Sequence, residues 1–263
     1  MTFKDHFSGH AKEYAQYRPR YPVAMFEFLA GLSPHNELAW DCATGNGQAA
    51  SAVAQFFDHV VATDASASQL EHATTHPRIT YRVAREKDSG LLPASVDLIT
   101  VAQAVHWFDL NAFYSECRRV LRPDGIIAVW SYRLLRFEAT IDAILERFFS
   151  ETLRPYWAPE LRWVDKGYAQ LDFPFQEVGH PEFDMKLDLN LPALMQYIGT
   201  WSAVKQYEAA TGRDPLQELV SELESMWGDP NVHRASHWPV SIRIGRHSPT
   251  TESTKQEPPW VRP

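Results

Sequence analysis

The sequence predicts an α/β fold built on a doubly wound, mostly parallel sheet. Between residues 38 and 130, short runs rich in branched apolar residues alternate with segments whose apolar residues recur at helical spacing. Such alternation is typical of parallel strands connected by helices that cover both faces of the sheet. A glycine-bearing loop follows the first of these strands, and an acidic residue ends the second. Together these features predict a Rossmann-like sheet of seven strands, with an antiparallel final strand.

The predicted elements follow one another in chain order. Alternating or continuous runs of branched and aromatic residues indicate the strands, and three- to four-residue spacing of apolar residues indicates the helices. The predicted strands are residues 38–41, 60–64, 79–83, 96–101, 125–130, 183–189 and 239–245. The predicted helices are residues 23–31, 48–57, 66–75, 111–121, 141–153, 191–210 and 216–227.

One domain is expected over residues 1–247. Residues 1–32 form an N-terminal helical arm and cap, interrupted by Pro19 and Pro22, and residues 135–235 contain helical insertions above the carboxyl edge of the sheet. Residues 248–263 are rich in Pro, Thr and Glu and lack periodic apolar positions, so we expect this tail to be disordered.

Charge and composition disfavour several classes of partner. The formal net charge is −8, from 33 acidic and 25 basic side chains, and no dense run of Lys or Arg could follow a phosphate backbone. We therefore expect no nucleic-acid partner. No secretion signal or long apolar run is present, and Cys42 and Cys117 both lie in apolar segments. A cytoplasmic protein without a membrane partner, either a monomer or a weak dimer, is the expectation.

The loop that follows the first predicted strand carries the strongest functional signal. Asp41 ends the strand, and Gly45 and Gly47 precede the next helix. Glycines let the backbone approach a ligand closely, and the first N–H groups of the helix can meet a pyrophosphate or an amino-acid carboxylate. Asp64 ends the neighbouring strand, where a carboxylate can accept hydrogen bonds from ribose hydroxyls. Alternatively, Asp64 caps the helix that begins near Ser66.

These residues leave the cofactor open. The spacing of Gly45, Gly47 and Ala50 also satisfies the glycine pattern of nicotinamide dinucleotide enzymes, in which an acidic residue at the position of Asp64 contacts the ribose. A nicotinamide-dependent oxidoreductase is therefore a competing hypothesis. A protein that has the same fold but only binds a partner, without catalysis, is a third.

Longer segments resemble a known family. The loop from Asp41 is similar to the D-x-G-x-G-x-G motif of class I S-adenosylmethionine-dependent methyltransferases, with Ala43 at the first glycine position, a change that is tolerated where φ stays negative. Residues 95–109 and 120–125 resemble the fourth strand and the approach to the fifth in the methyltransferase type 11 group. Residues 14–22 are similar to the start of its trans-aconitate methyltransferase-like branch. The resemblance covers about residues 3–130.

The resemblance implies S-adenosylmethionine as cofactor, a small soluble acceptor such as a carboxylate, and a role for each matching residue. Asp41, Ala43, Gly45 and Gly47 would surround the methionine end, and Asp64, with Ala65 beside it, would meet the ribose. The adenine would lie near Arg85 and Glu86, and the sulfonium near Gln103. The substrate and lid residues would be Tyr14, Tyr17, Arg18 and Trp107.

His106 is the candidate catalytic residue, because it follows the fourth strand at the edge where the acceptor should lie. An imidazole there could act as a general base. The alternative is a structural corner formed with Trp107, in which the imidazole bonds to the backbone. His72 and His76 are four residues apart but lack the signature of a zinc site, so the sequence predicts no metal.

Overall fold

The computed structural model describes residues 19–248, which contain a single mixed sheet with helices on both faces. The strands are β1 (Leu38–Cys42), β2 (His59–Asp64), β3 (Ile79–Val83), β4 (Val96–Ala102), β5 (Leu121–Tyr132), β6 (Gln176–Glu177), β7 (Phe183–Leu189) and β8 (Arg234–Arg246). The helices are α1 (Val23–Leu32), α2 (Gln48–Val53), α3 (Ala67–Glu71), α4 (Leu110–Val120), α5 (Ala139–Arg147), α6 (Arg162–Asp165), α7 (Leu191–Gly199), α8 (Ser202–Thr211) and α9 (Leu216–Trp227).

The strand order is β3-β2-β1-β4-β5-β8, and both β6 and β7 pair with the outer edge of β8. Strands β1 to β5 are parallel, and β8 runs antiparallel to β5. The order reverses beside β1, with β2 on one side and β4 on the other, which is the position where ligands bind in open α/β sheets. The predicted mostly parallel sheet with an antiparallel final strand is confirmed, with the two-residue β6 as an additional strand.

Two apolar layers cover the sheet. Alternate side chains of β5 divide between them, so Ile126, Ala128 and Trp130 pack with α1 and α2, whereas Ile127 and Val129 pack with α4. This division follows from the two-residue period of a strand buried on both faces. Cys42 and Cys117 are free thiols buried in the second layer.

Several predicted helices have different bounds in the structure, and three of them show the physical reason. After Val53 the backbone turns more tightly, with Gln55 N donating to Ala52 O, so α2 ends well before residue 57. Helix α3 ends at Glu71 because the following chain bonds elsewhere: Thr74 N donates to Asn46 O. The segment 191–210 is two helices. It breaks at Trp201, which is extended and buried against Tyr197.

The segment from residue 133 to residue 233 holds α5 to α9 together with β6 and β7. Arg133, directly after β5, ties the first part of this segment together by ion pairs with Glu146 and Asp165. That this segment is an insertion into the domain predicted over residues 1–247 is not tested by the structure and stays a prediction. Of the predicted N-terminal arm and cap, residues 1–18 lie outside the described residues, whereas the helix predicted over 23–31 is present as α1. The predicted tail, residues 248–263, lies outside them apart from its first residue. Within residues 19–248, no helix combines the length and the apolar character that crossing a membrane requires.

Candidate functional site

Asp41 lies buried at the carboxyl end of β1, under the glycine loop. Its side-chain oxygens accept hydrogen bonds from the hydroxyls of Thr100, at 2.6 Å, and Thr44, at 2.5 Å. Burial raises the pKa of the Asp41 carboxyl to about 6, although both of these hydrogen bonds lower it and the nearby Asp64 raises it further. Both hydroxyl partners are uncharged. Within residues 19–248, Asp41 is therefore an acid whose ionised form is not matched by a bonded cation.

The backbone of the loop is left-handed at three positions. Ala43, Gly45 and Gly47 have φ of 56°, 57° and 83°. Ala43 does not meet the condition, a negative φ, under which an alanine was expected to be tolerated here: it adopts a conformation that glycine adopts at lower cost, with a strain of roughly 1–2 kcal/mol. Gln103, directly after β4, has φ of 55°. Strained residues thus end two adjacent central strands, and such strain concentrates at functional sites.

Tyr81 of β3 closes over the loop, and it was not among the predicted site residues. Its hydroxyl donates to Thr74 O at 2.8 Å. A Cβ added to Gly47 would lie 2.3 Å from that hydroxyl oxygen, so the tyrosine sits where any larger residue at position 47 would project. A larger residue at position 47 would therefore have to displace the Tyr81 hydroxyl as well as adopt a strained φ.

Asp64 joins the loop to the end of β2. One carboxylate oxygen accepts from Gly45 N and the other from Ser66 N, both at 2.9 Å. The bond to Ser66 N lies at the start of α3, as the capping alternative expects, and the bond to Gly45 N holds the glycine loop. Ribose binding by Asp64 stays a prediction. Ala65 is half-buried beside Asp64.

Arg85 and Glu86 lie in the turn that follows β3, beside the end of β2, because Ala84 N donates to Asp64 O at 3.0 Å. Arg85 is exposed and Glu86 is half-buried, close enough to Cys42 to act on its thiol electrostatically.

The remainder of this turn is anchored to α4 by a buried carboxylate. Glu116 accepts from the backbone N and the hydroxyl of Ser89 and pairs with Arg119. Burial raises the pKa of the Glu116 carboxyl, but the hydrogen bonds from Arg119 and Ser89 outweigh that effect and lower it to about 2. The glutamate is therefore ionised near neutral pH, and it fixes the turn that carries Arg85 and Glu86.

Gln103 is directed towards β5. Its backbone N donates to Trp130 O, and its side-chain amide donates to Tyr132 O at 2.7 Å. The half-buried side chain lies at the carboxyl edge as predicted, in a position determined by these two bonds.

His106 follows in a short 3₁₀ turn, Val105–Trp107, and is buried. Its Nδ1 lies 2.7 Å from the Tyr168 hydroxyl, so the expected alternative of an imidazole bonded to the backbone is wrong in its partner. Burial lowers the pKa of the imidazole to about 4, which leaves the ring neutral at pH 7. Trp107, half-buried, has its ring 4.8 Å from that of His106.

The structure thus brings most of the predicted residues to one edge of the sheet. Those at the carboxyl ends of the central strands are Asp41, Ala43, Gly45, Gly47, Asp64, Ala65, Gln103, His106 and Trp107. Tyr14, Tyr17 and Arg18 lie outside the described residues. Sequence reasoning missed Thr44, Thr100, Tyr81 and Tyr168. Thr100 could have been found, since it faces Asp41 in the register of β1 and β4, whereas Tyr168 comes from a distant segment with no motif.

Comparisons with known proteins agree with this geometry. Residues 40–129 match the family model of a methyltransferase domain. A Dictyostelium discoideum protein assigned as a methyltransferase is 32% identical over 225 residues, which cover 84% of this chain and 86% of that one. A solved structure from Anaeromyxobacter dehalogenans, assigned as a type II methyltransferase, is 43% identical with a TM-score of 0.84, over 88% of this chain and 99% of that one. An Anabaena variabilis structure at 17% identity and a TM-score of 0.55 shares the fold.

Proposed function

We propose that this chain, which belongs to the methyltransferase family and uses S-adenosylmethionine as its cofactor, binds that cofactor against the Asp41 loop and methylates a small soluble molecule. The observation that carries the proposal is the buried Asp41 carboxylate. It lies under a glycine loop at the switch point of the sheet, and its bonded partners in residues 19–248 are two hydroxyls and the backbone N–H of Ala50, all uncharged.

The charge of this site favours a cationic ligand. The carboxylates of Asp41 and Asp64 interact electrostatically, and each makes ionisation of the pair more costly. A ligand carrying an ammonium and a sulfonium group relieves that cost. A pyrophosphate, which would bring negative charge to the same loop, increases it. The acidic pair therefore favours S-adenosylmethionine over a nicotinamide dinucleotide, although the glycine spacing suits both.

The donors and acceptors of the site fit the remaining parts of the cofactor. We assign the methionine end to the loop of Ala43, Gly45 and Gly47, whose left-handed backbone permits close approach. Asp64 receives the ribose hydroxyls, with Ala65 beside it. The adenine lies against the turn of Arg85 and Glu86, which Ser89 and Glu116 anchor. Gln103 borders the reacting centre at the end of β4.

The cofactor supplies an activated methyl group, so the protein mainly has to align the acceptor with it and exclude water. Gln103, His106 and Trp107 stand at the edge where the acceptor would approach. The similarity of residues 14–22 to the trans-aconitate methyltransferase-like branch supports a carboxylate acceptor. A carboxylate is ionised near neutral pH and needs no base. The lid assigned to Tyr14, Tyr17 and Arg18 remains part of this proposal.

Calorimetric titration tests the proposal. We expect the purified chain to bind S-adenosylmethionine and S-adenosylhomocysteine, and not NAD or NADP. Substitution of Gly47 by Ala should weaken binding, because an alanine is strained at this positive φ and its Cβ would displace the Tyr81 hydroxyl, which lies 2.3 Å away. Gly31→Ala serves as the matched control, since a Cβ there meets nothing within 4 Å. Binding of NAD alone, or unchanged affinity in Gly47→Ala, would contradict the proposed site.

A further inference from the structure

We propose that Tyr168 is a positioning residue that fixes the tautomer of His106, so that His106 donates a hydrogen bond from Nε2 to the acceptor molecule and does not act as a base. The inference rests on the function proposed above for the location of the acceptor. The hydrogen-bonding state of the two side chains is argued from their own geometry.

The first step is the direction of the bond between the two rings. The Tyr168 hydroxyl and His106 Nδ1 are 2.7 Å apart, and both side chains are buried. Within residues 19–248, His106 is the only hydrogen-bond partner of the hydroxyl. A buried O–H that donates to nothing is costly, so the hydroxyl donates and Nδ1 accepts. In a neutral imidazole the proton then resides on Nε2.

The second step concerns Nε2 itself. This nitrogen is inaccessible to solvent and has no hydrogen-bond partner in the described part of the chain. Buried polar groups without a partner are rare in folded proteins, and each calls for an explanation such as a ligand. His106 follows β4 by four residues, at the same edge as the Asp41 loop. An acceptor oxygen placed there would accept the Nε2 proton.

A second unpartnered group lies on the same face of the sheet. The Ser131 hydroxyl is fully buried at the carboxyl end of β5 and has no partner in residues 19–248. Ser131 lies two residues after Val129 and four after Ile127, so its side chain is on the same face of β5 as theirs. Those two side chains pack in the layer that contains Tyr168. Two unpartnered polar groups therefore lie on one face of the sheet near its carboxyl edge, where the proposed acceptor would bind.

The third step is the support given to Tyr168. Gly167 and Tyr168 both have positive φ, 56° and 62°. A left-handed tyrosine is strained, and the turn that carries it is secured from β8: Arg243 donates to Tyr168 O at 3.2 Å and to Leu171 O at 2.7 Å. A Cβ at Gly167 would lie 2.7 Å from the Ser241 hydroxyl, so this turn packs tightly on the sheet. Strain maintained by surrounding bonds is a reason to look for a function.

The chemistry follows from the tautomer. A lone pair of the acceptor forms the bond to the methyl carbon while the carbon–sulfur bond breaks. The two electrons of the broken bond stay on sulfur. No proton passes to His106, because the Nδ1 lone pair is engaged by Tyr168 and Nε2 already carries hydrogen. Acceptors that are already anionic, such as carboxylates, therefore react without a base, whereas an aliphatic alcohol, which must lose a proton, receives no help from this pair.

Nitrogen NMR of the histidine side chains tests the tautomer without any substrate. In the whole chain labelled with ¹⁵N-histidine, with His106 assigned by comparison with His106→Gln, we expect the Nε2–H tautomer. Tyr168→Phe should lower the fraction of that tautomer, because the hydrogen bond that holds Nδ1 as an acceptor is lost. Tyr114→Phe is the matched control, because it removes another buried hydroxyl, one that donates to Asp172 O. An Nδ1–H tautomer in the parent protein, or an unchanged tautomer in Tyr168→Phe, would overturn the assignment.

Methyl transfer tests the role. With S-adenosylmethionine and a panel of carboxylic acids and the corresponding primary alcohols, we expect transfer to acids only. In Tyr168→Phe we expect the acceptor KM to rise about tenfold, the effect of one lost hydrogen bond, with kcat little changed. Transfer to the alcohols, transfer to neither class, or equal KM values in Tyr168→Phe and Tyr114→Phe would count against the role of the pair. If neither the parent protein nor any variant bound the cofactor, the proposed function would be wrong. The NMR result would still decide the tautomer of His106.

Discussion

Two buried aspartates on adjacent strands show how differently the two edges of the sheet treat charge. Asp97, at the amino end of β4, accepts hydrogen bonds from Glu37 N and Leu38 N and pairs with Arg122 at 2.9 Å. Asp41, at the carboxyl end of β1, accepts from two hydroxyls. Both side chains are at most 1% exposed. The Arg122 guanidinium pairs with the Asp97 carboxylate. In residues 19–248, no cation is bonded to the Asp41 carboxylate.

This difference distinguishes an aspartate that stabilises the fold from one that is suited to bind a ligand. A buried carboxylate with a complete set of partners, including a cation, holds neighbouring elements together, as Asp97 does for the start of β1 and the start of β5. A buried carboxylate that lacks a cation raises the free energy of the folded protein near neutral pH, and this cost is typical of a position that meets a charged ligand. The two residues should therefore respond oppositely to the same substitution.

The largest effect is expected at Asp97. Asp97→Asn leaves the Arg122 charge without its buried partner and should lower the free energy of unfolding by about 3 kcal/mol. Cofactor affinity of the folded protein should stay unchanged, because the residue lies at the opposite edge. Urea unfolding and calorimetry measure the two quantities. Glu37→Gln, which alters the exposed partner of the same arginine, is the control and should have a much smaller effect. Weakened cofactor binding in Asp97→Asn would break the comparison.

At Asp41 the same change should affect binding more than folding. Asp41→Asn removes the charge with little change in shape, and cofactor affinity should fall at least about tenfold. Calorimetry measures it, with Asp58→Asn as control, because that exposed aspartate lies at the amino end of β2. Unchanged affinity in Asp41→Asn would mean that its carboxylate does not act on the charge of the cofactor.

The same variant should alter the pH dependence of stability. The folded pKa of Asp41 is about 6, above the ordinary value of 3.8. Its contribution to stability is therefore present in full below about pH 3.8 and is lost as pH rises through about 6. Relative to Asp41→Asn, the parent protein should lose up to about 3 kcal/mol over this range. Urea unfolding at pH 4 and pH 7 measures the difference, and a parallel response of the two proteins would contradict the raised pKa.

The smallest effect is expected at the strained alanine. Ala43→Gly should raise the free energy of unfolding by at most about 1 kcal/mol, since glycine adopts positive φ without the Cβ clash but costs more unfolded-state entropy. Ala50→Gly, inside α2, should instead lower it by about 1 kcal/mol. Thermal unfolding compares the two variants. A loss of stability in Ala43→Gly would show that the methyl group of Ala43 makes a packing contribution that outweighs the strain.

The strands were predicted more accurately than the helices. The predicted bounds of β3 and β7 agree with the structure, and each of the other predicted strands falls within its observed one. A continuous apolar run is decided by burial on both faces, which the sequence shows directly. The ends of α2 and α3 were misjudged because they depend on bonds to other segments, such as that of Thr74 N to Asn46 O. Local periodicity contains no information about such partners.

The amino-acid sequence by itself determined the order of strands and helices, the family, and the edge of the sheet where the acidic and glycine residues meet. These depend on local periodicity and on residues close together in the chain. Only the tertiary structure decided that Asp41 bonds to hydroxyls, that Ala43 adopts the left-handed conformation, and that Tyr168 meets His106 across 62 positions of chain. Burial, backbone strain and the partner of a buried hydrogen-bonding group are set by segments far apart in the chain, so they arise only when the chain has folded.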